Sequence, residues 1–282
     1  MGIVVGPNQY GKAENRVVRI VRDTARHEIH DLNVSTSLRS DFAAAHTDGD
    51  QSQVLPTDTQ KNTAFAFAKK HGVTSPEDYA LALARRLVEA TPAATGALIH
   101  VDEFARDRIV VDGVGHDHSF VRRGGEVRTT EISLEGGAAT VVSGLKDLTV
   151  LKSTGSEFKG FLKDEYTTLP EADDRILATA LTARWRYAER DWIEWNAAYD
   201  SVRALLATFA TTYSRALQET LYAMGKAVLE AHAEIAEISF AAPNKHHFPV
   251  DLRPFGLENP GEVFIAADRP YGLIEATVTR DD

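Results

Sequence analysis

Apolar and polar positions alternate over residues 15–22 (NRVVRIVR), and a second such run over 26–38 carries Ile29, Leu32, Val34 and Thr36. That period of two predicts a pair of strands at the start of the chain. A polar turn, AHTDGDQSQ, separates them from a helix that starts near Pro56 and Thr57-Asp58 and stops at Gly72. The next helix is marked more sharply: Ser75 at the N-cap, Pro76 at the first helical position and Asp78 two further on resemble a capping box. Its stripe of Tyr79, Leu83 and Leu87, flanked by Ala80 and Ala84, repeats with helical spacing and faces a core. Strands are expected at 96–104, 109–121 and 126–134, the last following a Gly124-Gly125 turn, before Gly136-Gly137 breaks the chain.

The second half repeats this order. Strands are expected at 139–152 and 176–187. A helix over 196–212 carries Ala198, Val202, Leu205, Leu206 and Phe209 on one stripe, and a helix over 214–231 carries Leu217, Leu221, Met224 and Val228. Strands follow at 235–241, 246–252 and 262–280. Strands, two helices and more strands, twice over, predict an α+β fold built as two tandem domains, 1–137 and 138–282, each an antiparallel sheet with helices on one face. Strands as long as 26–38 and 262–280 at a sheet edge would need covering, and self-association supplies a cover.

One stretch fits neither period. Between Leu151 and Ile176 lie about two dozen residues without helical or strand spacing, which is long for a structureless loop inside a compact domain. Phe158, Phe161, Leu162, Tyr166 and Leu169 make it too apolar for a solvated linker, so it reads as an ordered binding segment.

Composition narrows the class. With 282 residues, 43% apolar and 26% charged, the chain describes a soluble globular protein. No apolar run approaches the ~18 residues of a membrane span, and no signal peptide, myristoylation motif or peroxisomal C-terminal tripeptide is visible, which makes the cytoplasm the expected compartment. The absence of cysteine excludes disulfides, thiolate metal sites and cysteine nucleophiles. A net charge of −10 with only short, scattered basic pairs argues against a nucleic-acid binder, although one local cation could still hold a small anion.

Several residues carry candidate chemistry. Lys12 reads either as an exposed loop lysine or as an amine kept neutral by burial and able to take a proton. Thr57 and Asp58 read as the cap of the helix they begin, and a hydroxyl at a helix N-terminus can also face an anionic ligand. Phe158 is either core or a stacking wall; Arg175, after Asp173-Asp174, is either half of a surface ion pair or a fork for two acceptors on a flat heterocycle. Gln218 falls one position off its helix's apolar stripe, where its amide could read a carbonyl and an N–H together. His246 and His247 alternate across a strand and cannot chelate one metal jointly, whereas His116 and His118 share a face without a third ligand in view; His27 and His30 are weaker still.

The runs Tyr10-Gly11-Lys12, Thr57-Asp58-Thr59-Gln60-Lys61-Asn62-Thr63, Leu148-Thr149-Val150-Leu151-Lys152-Ser153-Thr154, Asp164-Glu165-Tyr166-Thr167-Thr168-Leu169, Asp174-Arg175-Ile176-Leu177 and Pro243-Asn244-Lys245-His246 together resemble the urate oxidase (uricase) family. So do His116-Asp117-His118-Ser119-Phe120 and Asp268-Arg269-Pro270-Tyr271-Gly272-Leu273-Ile274, and the matches fall in order along nearly the whole chain. The resemblance implies two tandem tunnelling-fold (T-fold) domains, a β-barrel tunnel closed on oligomerisation, and a homotetramer with active sites between subunits. It implies oxidation of urate by dioxygen and water to 5-hydroxyisourate and hydrogen peroxide, without metal or organic cofactor. Carried over residue by residue, Lys12, Thr57 and His246 would form a proton relay. Thr57, Asp58, Phe158, Arg175, Leu217, Gln218 and Asn244 would bind substrate and dioxygen, with Lys12 and Thr57 from one chain and Phe158, Arg175, Leu217, Gln218, Asn244 and His246 from its neighbour. The chain departs from the family pattern at Pro56, where a small apolar residue is expected, at Leu217, where valine is common, and in a short connection between Tyr187 and Asn196. The alternatives are a metal-dependent purine- or pterin-handling enzyme of the same fold, or an inactive purine-binding protein.

Overall fold

The computed structural model describes residues 2–188 and 193–281, so most of the short connection after Tyr187 lies outside the described residues. The chain divides into two compact units, Met1–Leu145 with Arg186–Tyr199, and Lys146–Trp185 with Asp200–Asp282.

The first unit opens with strands β1 (Asn8–Val21) and β2 (Glu28–Ser40), a short helix α1 (Ala43–Thr47), and helices α2 (Thr57–Lys70) and α3 (Pro76–Glu89). Strands β3 (Gly96–Glu103), β4 (Arg106–Val111), β5 (Val114–Arg122), β6 (Val127–Glu135) and β7 (Ala138–Lys152) follow. The sheet runs β1-β2-β3-β6-β7, with its first three pairings antiparallel. Helix α3 packs on β3 and β6, and α2 on β1. Tyr79, Ala80, Leu83, Ala84 and Leu87 are all buried, so the stripe read from the sequence is the face that meets the sheet. Ser75 accepts the Asp78 N–H at 3.0 Å and donates its hydroxyl to the Asp78 carboxylate, as the local pattern required.

Two expectations change here. The strand over 109–121 is a hairpin: Asp112 (φ 51°) and Gly113 (φ 80°) turn the chain between Val111 and Val114, which pair. Aspartate and glycine tolerate the two positive φ angles that such a tight turn demands. Strand β2 is also not an edge, because it lies between β1 and β3; β1 is the outermost strand.

In the second unit the sheet order is β7-β8-β9-β12, with β8 at Leu177–Tyr187, β9 at Ile235–Pro243 and β12 at Leu273–Thr279. The helix expected over 196–212 is two helices, α4 (Trp195–Val202) and α5 (Leu205–Thr211). Between them the Ala204 N–H bonds the Ser201 carbonyl, and Leu206 bonds Arg203, tight three-residue spacings that interrupt the α ladder. Helix α6 (Leu217–Ala231) lies on β9 and β12. Gly225 allows that approach: a Cβ there would meet Val278 at 2.6 Å and the Phe240 ring at 3.1 Å. The expected strand over 262–280 is likewise split. Its first part, β11 (Phe264–Ala267), pairs with β10 (His246–Pro249) in a separate two-stranded sheet, and only β12 joins β9. Asp268-Arg269-Pro270-Tyr271-Gly272 separates them, and Pro270 has no N–H to give a ladder. Among the described residues no helix is long and apolar enough to cross a membrane.

Candidate active site

In the first unit, Lys12 sits on β1 directly opposite Thr36 on β2, immediately before a bulge where Glu14 takes a φ of 56°. The strands approach closely at the preceding residue; a Cβ on Gly11 would lie 1.7 Å from the Thr36 carbonyl oxygen. The Lys12 N–H points to Thr36 Oγ1 at 3.4 Å, and the Thr36 hydroxyl donates to Gln60 Oε1 at 2.8 Å. Gln60 is fully buried on α2, one turn after Thr57, so a hydrogen-bonded path ties the Lys12 backbone to the first turn of that helix. Gln60 and Thr36 were not singled out from the sequence. The available signal was a polar residue on the row of Ala64 and Ala68, the buried face of α2.

Thr57 does not cap α2. The N-cap is Pro56 (φ −52°, ψ 140°), with no side-chain cap bond, and Thr57 is the first helical residue. Once inside the helix a side chain cannot fold back onto the following N–H groups as an extended N-cap does, so the Thr57 hydroxyl is not consumed by capping. The Asp58 carboxylate pairs with the Lys61 ammonium and accepts from Asn62 Nδ2 at 2.9 Å. The Lys61 hydrogen bond is the chief reason its carboxyl stays below the usual range, and the Lys12 charge contributes in the same direction.

In the second unit, the irregular segment 153–176 is ordered by its own bridges. Phe158 and Ala172 exchange backbone hydrogen bonds of 2.8 and 3.0 Å, and the Arg175 N–H donates to the Ser156 carbonyl at 2.7 Å. This folds Arg175 back so that its guanidinium carbon lies 4.9 Å from the centre of the Phe158 ring. Among the described residues the surface ion pair considered for Arg175 is not formed. Asp173 pairs with Lys159 at 2.9 Å, and Asp174 accepts from the Thr154 hydroxyl at 2.6 Å and the Ser156 N–H at 3.2 Å. Arg175 Nε is buried and has no hydrogen-bond partner among the described residues, and burial pushes the guanidinium pKa down from its ordinary value. A half-buried cation without an acid beside it is a site prepared for an anion.

Leu217 and Gln218 begin α6, Leu217 buried and Gln218 exposed. The N-cap Ala216 offers no side-chain cap, so the first N–H groups of this helix face outward with their partial positive charge. Asn244 follows β9 and bridges Thr179 on β8: the Asn244 N–H donates to the Gly272 carbonyl at 2.8 Å, and the Lys245 N–H to the Ala178 carbonyl at 2.8 Å. These bonds hold the Asn244 backbone against β8, a few residues after Arg175. His246 starts β10 opposite Ala267, its ring stacked on Phe248 with centroids 5.8 Å apart. Lys12, Thr57 and Asp58 thus belong to the first unit, and Phe158, Arg175, Leu217, Gln218, Asn244 and His246 to the second.

His116 and His118 share a face of β5 with ring centroids 4.5 Å apart, and His27 lies 5.8 Å from His118. Among the described residues no three His, Asp or Glu side chains are placed to hold a metal ion.

The sequence and fold both have close counterparts. A sequence model of the family described as Uricase matches residues 8–133 and 141–275. The uricase of Arthrobacter globiformis is 54% identical over 280 residues, covering 99% of this chain and 91% of the relative, and that of Schizosaccharomyces pombe is 37% identical over 284 residues, covering 96% of each. The crystal structure of the Arthrobacter globiformis uricase superposes with a TM-score of 0.95 over 100% of this chain and 96% of that one, at 54% identity. The urate oxidase of Bacillus sp. TB-90, at 22% identity, shares the fold with a TM-score of 0.84 over 97% of this chain and 100% of its own. With a family match along most of its length and full-length relatives well above a third identical, this α+β chain of antiparallel sheets and packed helices belongs to the uricase family.

Proposed function

We propose that the chain oxidises urate with dioxygen and water to 5-hydroxyisourate and hydrogen peroxide, using its own side chains and no metal or organic cofactor. Urate gives up two electrons and dioxygen takes them, so peroxide is the reduced product and the water oxygen enters the purine. The observation that carries this reading is Arg175: a half-buried guanidinium resting over the Phe158 ring, with its Nε unpartnered and its two neighbouring aspartates turned away.

A flat anionic purine supplies what that guanidinium lacks. Its ring stacks on Phe158, and its pyrimidine edge offers acceptors for the planar fork of Arg175. The exposed Gln218 amide can donate and accept along the same edge, and the Leu217 N–H at the start of α6 adds a donor aligned with the helix dipole. Dioxygen is a poor acceptor unless the purine is electron-rich, so a second proton must leave urate. In this reading Lys12 takes it through the Thr57 hydroxyl, and His246 continues the relay. Asn244 and Thr57 hold dioxygen, then water, above the ring, converting an encounter into a near-unimolecular step.

The proposed site is completed by a second copy of the chain, one supplying Lys12, Thr57 and Asp58, the other Phe158, Arg175, Leu217, Gln218, Asn244 and His246. Four copies, each with two T-fold domains divided at 137/138, would close their sheets into a barrel tunnel as a homotetramer. The unpaired edge of β1, with Val18 and Ile20 exposed, supports such closure, as does the edge of β12.

The test is an optical urate assay with and without EDTA. Loss of urate absorbance with one peroxide formed per urate, unaffected by the chelator, is expected. Chelator-sensitive turnover would refute the cofactor-free chemistry, and a monomer with full activity would refute the shared site.

A further inference from the structure

Ser214 is fully buried at the turn before α6, where three parts of the proposed urate clamp meet. Its backbone belongs to the binding segment: the Ser214 N–H donates to the Gly155 carbonyl at 2.9 Å, and its carbonyl accepts the Glu157 N–H at 2.8 Å, a parallel bridge with Ser156. Ser156 in turn accepts the Arg175 N–H, and Phe158 lies two residues further on. The Ser214 side chain belongs to the helix. Its hydroxyl donates to the Ala216 carbonyl at 3.0 Å and accepts from Thr220 Oγ1 at 2.8 Å, and Thr220 is itself fully buried in the first turn of α6.

The joint between these elements is extended, with Ala216 at φ −160° and ψ 157° and no side-chain cap on the helix. Arg215 and Glu219 also bridge it, with the Arg215 N–H 3.0 Å from the carboxylate, but on the exposed side where water competes. The buried bond between Ser214 and Thr220 ties the first turn of α6, which carries Leu217 and Gln218, to the backbone of the segment that carries Phe158 and Arg175.

We infer that Ser214 and Thr220 are a positioning pair for urate binding, their hydroxyl–hydroxyl bond fixing the Gln218 end of the clamp relative to the Arg175 end. The inference rests on the reading in which Arg175, Phe158 and Gln218 hold urate. Neither hydroxyl reaches the substrate; the pair acts through the two elements it joins. A clamp held at two ends loses affinity when one end is displaced by a fraction of an ångström, while the separate proton relay keeps its rate.

Thr220→Val keeps the side-chain shape and removes the donor. It is expected to raise KM for urate about ten-fold, equivalent to roughly 1.4 kcal/mol of lost binding, with kcat within about two-fold. Thr220→Ser, which restores the hydroxyl, should return KM to near the wild-type value, and Ser214→Ala should reproduce the rise. A purely structural role would instead lower kcat with the folded fraction and leave KM alone, and that outcome overturns the inference. Arg175→Ala, measured in parallel, separates the two levels of argument. Weakened binding there with unchanged KM in Thr220→Val and Ser214→Ala overturns the positioning pair alone; unchanged binding in Arg175→Ala overturns it together with the clamp.

Discussion

The Arg175 guanidinium lies 4.9 Å from the centre of the Phe158 ring, while Asp173 and Asp174, its neighbours in sequence, bond to Lys159 and to Thr154. The acids that would have neutralised the arginine are held elsewhere, and its charge is left for a ligand. Arg175→Ala is therefore expected to raise the dissociation constant for urate by ten-fold or more, roughly 1.5–3 kcal/mol for a charge-assisted hydrogen bond. Arg175→Lys should recover little of it, since an ammonium lacks the planar fork. Calorimetric titration without oxygen would measure both, and wild-type affinity in the alanine variant would remove the clamp.

Lys12 and Thr57 should affect rate more than binding. Lys12→Ala and Thr57→Ala are each expected to lower kcat by about 10²–10⁴, the usual contribution of a positioned acid–base group, with KM changed only a few-fold. Steady-state urate kinetics decide this, and unchanged kcat in both variants would refute the relay.

Glu77 is completely buried at the start of α3 and accepts from Arg128 at 2.7 Å, Thr130 at 3.0 Å and Ser143 at 2.6 Å. Breaking a buried pair leaves an uncompensated charge, so Glu77→Ala should cost about 3–5 kcal/mol, against about 1 kcal/mol for removing the uncharged helix cap in Ser75→Ala. Urea unfolding monitored by tryptophan fluorescence would compare the two. A loss at Glu77 no larger than at Ser75 would show that the network is not a stability determinant.

Acid should loosen the binding segment. The Thr154 hydroxyl, followed by the Ser156 and neighbouring backbone N–H groups, holds the Asp174 carboxyl below the usual carboxylate range. A lowered folded pKa contributes stability that is present above the unfolded value of ~3.9 and is lost as pH falls through the folded value. Hydrogen exchange in residues 153–176 should therefore accelerate, beyond its intrinsic pH dependence, only below about pH 4. Asp174→Asn should weaken that acid transition, the remainder belonging to Asp164 and Glu171, whose carboxyls are also held low by Thr167 and Lys163; an identical profile in wild type and variant would dissociate it from Asp174.

Features that depend on a few neighbouring residues were legible before any coordinates. The Ser75-Pro76 start and apolar stripe of α3, the two helices and their flanking strands, and the non-periodic segment around Phe158 all follow from local propensity and spacing. The Asp112-Gly113 hairpin was equally legible, since the pair is a turn signal, but the run of valines around it read as one strand. The motif resemblance supplied the family, and with it the proposed site residues and urate chemistry, which composition and periodicity leave open.

What the sequence by itself determined is the class of the chain, the broad order of its helices and strands, and its family. Tertiary structure alone decided which partners each polar group takes. Whether Thr57 caps its helix, whether Asp174 neutralises Arg175, that Gln60 reaches Thr36 across the first unit and Ser214 reaches Thr220 before α6 all depend on where the backbone carries them. Hydrogen bonds and ion pairs are short-ranged and exclusive, so their pairing is settled by Å-scale placement that no pattern along a chain encodes. The segment that breaks every sequence period thus becomes, once folded, the one that lays an arginine over a phenylalanine with its Nε unpartnered among the described residues.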